Sequence, residues 1–162
     1  MNSLRIAARV AHDSAFEGDL AVPMGQVIAA LLTLLNNKIS IAVAYENFAD
    51  RIKGPWRDAL VDHWYEHAKE EREASYDIAM RIVGFGADPI QQAFQIPACV
   101  PNVFALSKCL MQLELDAIKA EREILVMAGN HTSLKVLAEN QILLDTQHLD
   151  DLRRMASKME NG

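Results

Sequence analysis

The sequence predicts an all-α fold, a four-helix bundle built as two helical hairpins joined by a long crossover. Three observations predict it. Four long stretches carry apolar residues at alternating three- and four-residue steps, the signature of helices with one core-facing side. The seven glycines and five prolines fall nearly all between those stretches. The segment between the second and third stretches, residues 85–101, is too long for a tight turn between antiparallel helices and suits a crossover running the length of a bundle. Composition agrees: 162 residues make one domain's worth of core, and 51% hydrophobic with only 6% aromatic residues suits packed helices.

In chain order, residues 1–26 read as an N-terminal arm and residues 27–160 as the bundle. Ser3 to His12 forms a short amphipathic helix with Leu4, Ala7, Ala8 and Ala11 on one face, followed by a break at Pro23 and Gly25. Such an arm either packs on a neighbouring subunit or frays. The first long helix, Val27 to Ile52, turns Ile28, Leu31, Leu32, Leu35, Ile39, Ala42, Tyr45 and Ala49 to the core. Lys38 lies close to that stripe, where a lysine can snorkel from its edge. Gly54 and Pro55 stop this helix and restart the next, Trp56 to Gly84, whose stripe is Leu60, Trp64, His67, Glu71, Ala74, Ile78, Ile82 and Phe85. The acidic run at 70–73 cannot turn wholly outward, and Glu71 is its member on the stripe. The crossover holds one or two helical turns near Ile90–Gln95. Asn102 then caps the third helix, which runs to Ala128 with Glu114 and Glu121 flanking its apolar side a heptad apart. Gly129–Thr132 is the turn. The fourth helix, Ser133 to Met159, has Leu134, Leu137, Gln141, Leu144, His148, Leu152 and Met155 inward.

A net charge of −6 with a pI near 5.3 argues against non-specific nucleic-acid binding. Arg5, Arg9, His12 and Asp13 interrupt the first residues, so no signal peptide is expected, and no apolar run approaches the roughly 20 residues of a membrane span. Cys99 and Cys109 follow no zinc or CxxC spacing, and two reduced thiols in a cytoplasmic protein are expected. His63-Trp-Tyr-Glu-His67 matches a zinc-protease signature, but nothing else in the chain supplies its further ligand or cleft. The two histidines then read as a bundle-face or interface pair. Trp56, Trp64 and Tyr65 serve either as interface anchors or as core.

The chemistry gathers at Asp145-x-x-His148. Residues three apart share a helix face, so this carboxylate and imidazole can reach one ion, and Glu114 lies on the helix that packs against them. At this point the chain resembles the ferritin superfamily, most closely its bacterioferritin and Dps-like members. The resemblance runs from Leu31 to Met155. It is carried by Leu31-Leu32-x-Leu34-Leu35-Asn36, Tyr45, Gly54-Pro55, Glu70-Glu71-x-x-Ala74, residues 81–89, Leu113-Glu-Leu-Asp116 and Asp145-Thr-Gln-His148.

The resemblance implies a two-metal site to which each hairpin gives one Glu and one Glu-x-x-His. The second hairpin matches with Glu114, Asp145 and His148. The first departs, with Lys38 in place of its glutamate, Glu71 retained, and Ala74 in place of its histidine. The haem-binding methionine of bacterioferritins is replaced by Arg72, so no haem is expected. The positions of the Dps-type intersubunit site hold Ala49, Val61, Tyr76 and Met80.

Replacing a glutamate by lysine changes the local charge by two units, the charge of one divalent ion. The sequence therefore leads to a single-metal site with Glu71, Glu114, Asp145 and His148 as ligands and the Lys38 ammonium where a first metal would sit. Its donors suit Fe(II) or Mn(II), with Zn(II) as a competitor. The function expected is iron or divalent-metal binding and storage in a homo-oligomer or cage, with weak ferroxidase activity at most. The alternative is a metal-free structural or scaffold member in which Lys38–Glu71 and His148–Glu114 are plain interhelical ion pairs.

Overall fold

The computed structural model describes residues 17–92 and 96–161. The expected helix at Ser3–His12 lies outside the described residues, as do residues 93–95 of the crossover; residues 90–92 are not helical. Four α-helices form: α1 (Met24–Arg51), α2 (Arg57–Gly84), α3 (Val103–Met127) and α4 (Thr132–Asn161). There are no strands among the described residues, and the chain is the four-helix bundle its periodicity predicts.

The helix ends have local causes. Gly54 takes φ +92 in the short link after α1, a value glycine adopts without strain. At the end of α2, Gly86 has φ +79, and the amides of Gly86 and Ala87 reach back to the carbonyls of Val83 (2.9 Å) and Ile82 (3.2 Å). Those two bonds satisfy carbonyls that the helix end would otherwise orphan. Asn102 caps α3 as expected, its side chain accepting from the Phe104 amide at 2.9 Å.

Two apolar clusters establish how the helices run. One joins Tyr45 and Phe48 late in α1 to Leu60 and Trp64 early in α2, Leu106 and Leu110 early in α3, and Leu152 late in α4. The other joins Leu31 and Leu35 early in α1 to Ile78 and Ile82 late in α2, Ile124 late in α3, and Leu134 early in α4. Hence α2 and α3 are parallel, as the long crossover requires, and α1 and α4 run against them. The crossover lies along α1: the Gln92 amide donates to Asn36 Oδ1 (2.8 Å), and Arg51 at the far end of α1 donates to the Cys99 carbonyl (2.7 Å).

Two expectations need correction, and one choice left open is decided. Cys99 and Cys109 are joined in a disulfide, with Cα atoms 6.9 Å apart, rather than left as free thiols. The crossover lays Cys99 over the start of α3, a proximity that their spacing of ten does not reveal. Trp64 is fully buried and belongs to the core, not to an interface, while Tyr65 is exposed and donates to Asp50 Oδ1 at 2.6 Å. Finally, α1 is long and apolar enough to cross a membrane by composition, its most apolar 18-residue stretch having mean hydropathy 1.8. Asn36, Asn37 and Lys38 interrupt the run. Its apolar side packs into both clusters, as a core helix does.

The segment before α1 is tied to the α3–α4 turn. The Ala21 amide bonds the Met127 carbonyl (3.0 Å), and the Asn130 amide bonds the Asp19 carbonyl (2.6 Å). Gly129 makes this approach possible: it has φ +55, and a Cβ there would sit 2.5 Å from the Asp19 carbonyl oxygen and 2.6 Å from the Ala21 amide nitrogen. Gly129→Ala is expected to destabilise the fold by about 1–3 kcal/mol in urea denaturation. Gly25→Ala, in the first turn of α1 with nothing within 4 Å of a new Cβ, is expected to be neutral or slightly stabilising.

Candidate metal centre

Between the two apolar clusters lies a layer of buried charge. Lys38 from α1, Glu71 from α2, Glu114 and Glu121 from α3, and Asp145 and His148 from α4 are all buried to 2% exposure or less. Each sits on the inward face its helical register assigns. Lys38 lies fully inside rather than at the edge, so the snorkelling reading fails: with Leu34, Leu35, Ile41 and Ala42 also buried, it occupies the centre of the buried face of α1.

The Lys38 ammonium makes three ion pairs, to Asp145 Oδ1, to Glu121 Oε1 at 2.9 Å and to Glu71 Oε2 at 3.3 Å. Burial alone would lower its pKa, but the charges of Glu71, Asp145 and Glu121 outweigh that and raise it, so it stays an ammonium. The His148 Nδ1 lies 3.0 Å from Glu71 Oε1 and 3.3 Å from Glu114 Oε1, while its Nε2 meets Glu70 Oε2 at 2.8 Å. Burial disfavours the imidazolium, but hydrogen bonds and charge from Glu114 and Glu71 prevail and push its pKa to about 10. Tyr45 donates to Glu114 Oε1 at 2.7 Å. Its own pKa is raised, by burial first and then by the Glu114 carboxylate.

The contacts repeat across the two hairpins. Lys38 and Tyr45 are a heptad apart on α1, and Glu114 and Glu121 are a heptad apart on α3. Tyr45 bonds Glu114, and Glu121 pairs with Lys38. Glu121 and Glu70 were missing from the candidates read in the sequence. The heptad spacing of Glu114 and Glu121 was the available signal for the first; Glu70, at the rim, left none.

The four predicted ligands come together: Glu71, Glu114, Asp145 and His148 offer ligand atoms all within 4.8 Å of one another. Glu114 Oε2 and Asp145 Oδ2 are buried without a hydrogen bond, while the Glu71 oxygens and His148 Nδ1 are engaged only in ion pairs. Unsatisfied buried carboxylate oxygens converging with one imidazole nitrogen fit a divalent cation. Ala74 leaves no imidazole on the Lys38 side, and Lys38 crosses to Asp145 Oδ1. Arg72 lies outside the layer, where it forks onto Glu46 at 2.8 and 2.9 Å.

Fold and centre together define a class of protein. Residues 28–161 match the family model of the ferritin-like domain, and the chain belongs to that family. Among solved structures it is similar to a ferritin-like, diiron-carboxylate protein from Bacillus anthracis str. Ames (22% identity, TM-score 0.78, covering 82% of this chain and 96% of that one). It is also similar to the dodecameric thioferritin described as the bacterioferritin-related protein of Bacteroides fragilis (21% identity, TM-score 0.82, covering 90% and 92%). A comparison with curated proteins finds no match.

Without a metal, the layer holds protons. Burial, the largest cause, raises the Glu121 and Asp145 pKa values from 4.5 and 3.8 to about 8. Between those values the folded state binds protons that the unfolded chain has released, so stability falls as pH rises. His148, raised from 6.5 to about 10, acts in the same direction: its contribution is full below pH 6.5 and lost as pH rises through about 10. His67, lowered to about 3 by burial and then by His148 and His63, opposes this only between about pH 3 and 6.5. The melting temperature of chelator-treated protein is therefore expected to fall as pH is raised from 6.5 to about 9, and Glu121→Gln to flatten the slope. Scanning fluorimetry across that range checks it, and a flat wild-type profile contradicts it.

Proposed function

We propose that this protein is an iron-binding, ferritin-like subunit of a homo-oligomer or cage, holding a single divalent metal in its buried layer rather than a pair. The ligands would be Glu71, Glu114, Asp145 and His148. The observation that carries this reading is the convergence of their ligand atoms within 4.8 Å, with buried carboxylate oxygens left unbonded. Fe(II) suits the three carboxylates and one imidazole, with Mn(II) and Zn(II) as competitors. A bound ion would supply redox or Lewis-acid chemistry there.

The residues around it have separable roles. Lys38 supplies a fixed positive charge on the side facing Glu121 and Glu71, where its ammonium takes the place of a first metal. Tyr45 holds Glu114 through Oε1 and leaves Oε2 for an ion. His148 must shed its Nδ1 proton to ligate, while its Nε2–H would donate to Glu70 at the rim and hold the ring in place. With Lys38 in place of a first-metal ligand, paired-iron oxidation is not the proposed activity; weak ferroxidase turnover is the upper bound. The dodecameric assembly of the Bacteroides fragilis protein supports self-assembly of this chain. A cytoplasmic place is likewise proposed on the likeness to bacterioferritins; the Cys99–Cys109 disulfide weighs against it.

A second reading has its own observation. Lys38 pairs with three carboxylates, and His148 with two inside the layer and with Glu70 at its rim, so the layer closes electrostatically on protein groups alone once Glu121 and Asp145 are protonated. That would make the chain a structural member of its family.

Metal analysis separates the two. After Fe(II) loading and desalting, the wild type is expected to hold about one iron per chain more than His148→Ala, which has lost a ligand of the buried site. Many irons per chain at a mass of several subunits by light scattering would mark a mineral-storing cage. No iron in either protein would leave the structural reading. Lys38→Glu, which restores a carboxylate at the first-metal position, is expected to raise the uptake above that of the wild type.

A further inference from the structure

Outside the buried layer, three side chains form a second constellation that the proposed function does not use. His63 and His67 lie one turn apart on α2, and Asp151 faces them from α4. The Nε2 atoms of both imidazoles point at the same oxygen, Asp151 Oδ2, each at 3.6 Å. That is too long for a hydrogen bond. It is close to the spacing of about 3.4 Å between nitrogen and oxygen ligands of one tetrahedral ion with metal–ligand bonds near 2.1 Å. His63 Nε2 is buried as an atom yet has no hydrogen-bond partner. Arg154 binds the other carboxylate oxygen, Oδ1, and so turns Oδ2 toward the imidazoles.

The surroundings separate this constellation from the buried layer while keeping it adjacent. The His63 and Asp151 side chains are 34% and 25% exposed, and His67, at 4%, forms the floor. The far side of His67 stacks on His148, with ring centroids 4.1 Å apart and planes at 21°. The three imidazoles thus step outward from the layer, His63 lying 4.3 Å from His67. Two histidines one helical turn apart with a carboxylate from a second helix, open to water on one side, form a three-ligand site that leaves a coordination position free.

We propose that His63, His67 and Asp151 form a second, solvent-facing site for a divalent first-row transition cation, one per chain, at the mouth of the buried layer. Two imidazoles and one carboxylate select Zn(II), Co(II) or Fe(II) over Mg(II) and Ca(II), which prefer all-oxygen ligation. The site stands on its own residues and does not require a metal in the layer beneath it.

The test is calorimetric titration of the chelator-stripped, full-length protein with Zn(II), repeated with Co(II) for its visible ligand-field absorption. His148→Ala removes the inner imidazole. In that background one Zn(II) per chain is expected to bind, with four- or five-coordinate absorption when Co(II) replaces it. Adding His63→Ala or, separately, Asp151→Asn is expected to weaken that binding by about a hundred-fold or more, since a direct ligand is lost. His63 and Asp151 are partly exposed, so neither change opens the core. Binding retained at full affinity in either variant overturns the proposal, as does the absence of any Zn(II) site in the His148→Ala protein. If the wild type and His148→Ala bind equally, the outer site stands and the inner one fails.

Discussion

The structure turns on one buried ammonium. Lys38 stands at the centre of the bundle with Glu71, Glu121 and Asp145 around it, every one of them fully buried. Stripping such groups of water costs several kcal/mol each, and their mutual attraction offsets that only while each partner is present. A lone carboxylate at this depth would take up a proton; a lone lysine would lose one. The lysine is thus tolerated because three helices deliver carboxylates to it. The carboxylates in turn can remain close together because the lysine supplies part of the positive charge.

That interaction divides the interior. Tyr45, Phe48, Trp64 and Leu152 close one end, and Leu31, Leu35, Ile82 and Leu134 close the other. Between them nothing apolar relieves the charge, so the polar layer must be balanced by ions, protons or both. The two hairpins divide the task unequally. The α3–α4 hairpin contributes Glu114, Glu121, Asp145 and His148 to the layer, whereas the α1–α2 hairpin contributes Lys38 and Glu71, with the small Ala74 one turn further on. Membership of the ferritin-like family accounts for the scaffold. It does not by itself say what the buried layer does, which is why the local electrostatics of this chain decide the functional reading.

The rim adds a second level of organisation. His148 belongs to the buried layer through Nδ1 and to the surface through Nε2 and its stack on His67. One side chain therefore connects the interior charge to Glu70, His67 and His63. A cluster that reads in sequence as a misleading protease signature lies, in the fold, against the outer side of the buried layer through the His67–His148 stack.

The sequence by itself determined the helices, their inward faces and four of the site residues. A stripe such as Leu60–Trp64–His67–Glu71–Ala74–Ile78–Ile82 is set by a period of 3.6, a local property that each residue's neighbours along the chain establish. The same register carries Glu114, Asp145 and His148 inward, and the length of the crossover sets the direction of α3. What only the tertiary structure decided is which of these inward groups meet. Lys38 could be read as a stripe-edge lysine until α3 and α4 brought Glu121 and Asp145 to it. The Cys99–Cys109 disulfide depends on the path of the crossover over α3, and the pairing of His63 and His67 with Asp151 joins residues more than eighty positions apart. Periodicity acts along one helix; the partner of a buried charge is chosen by the packing of several, and no local spacing encodes it.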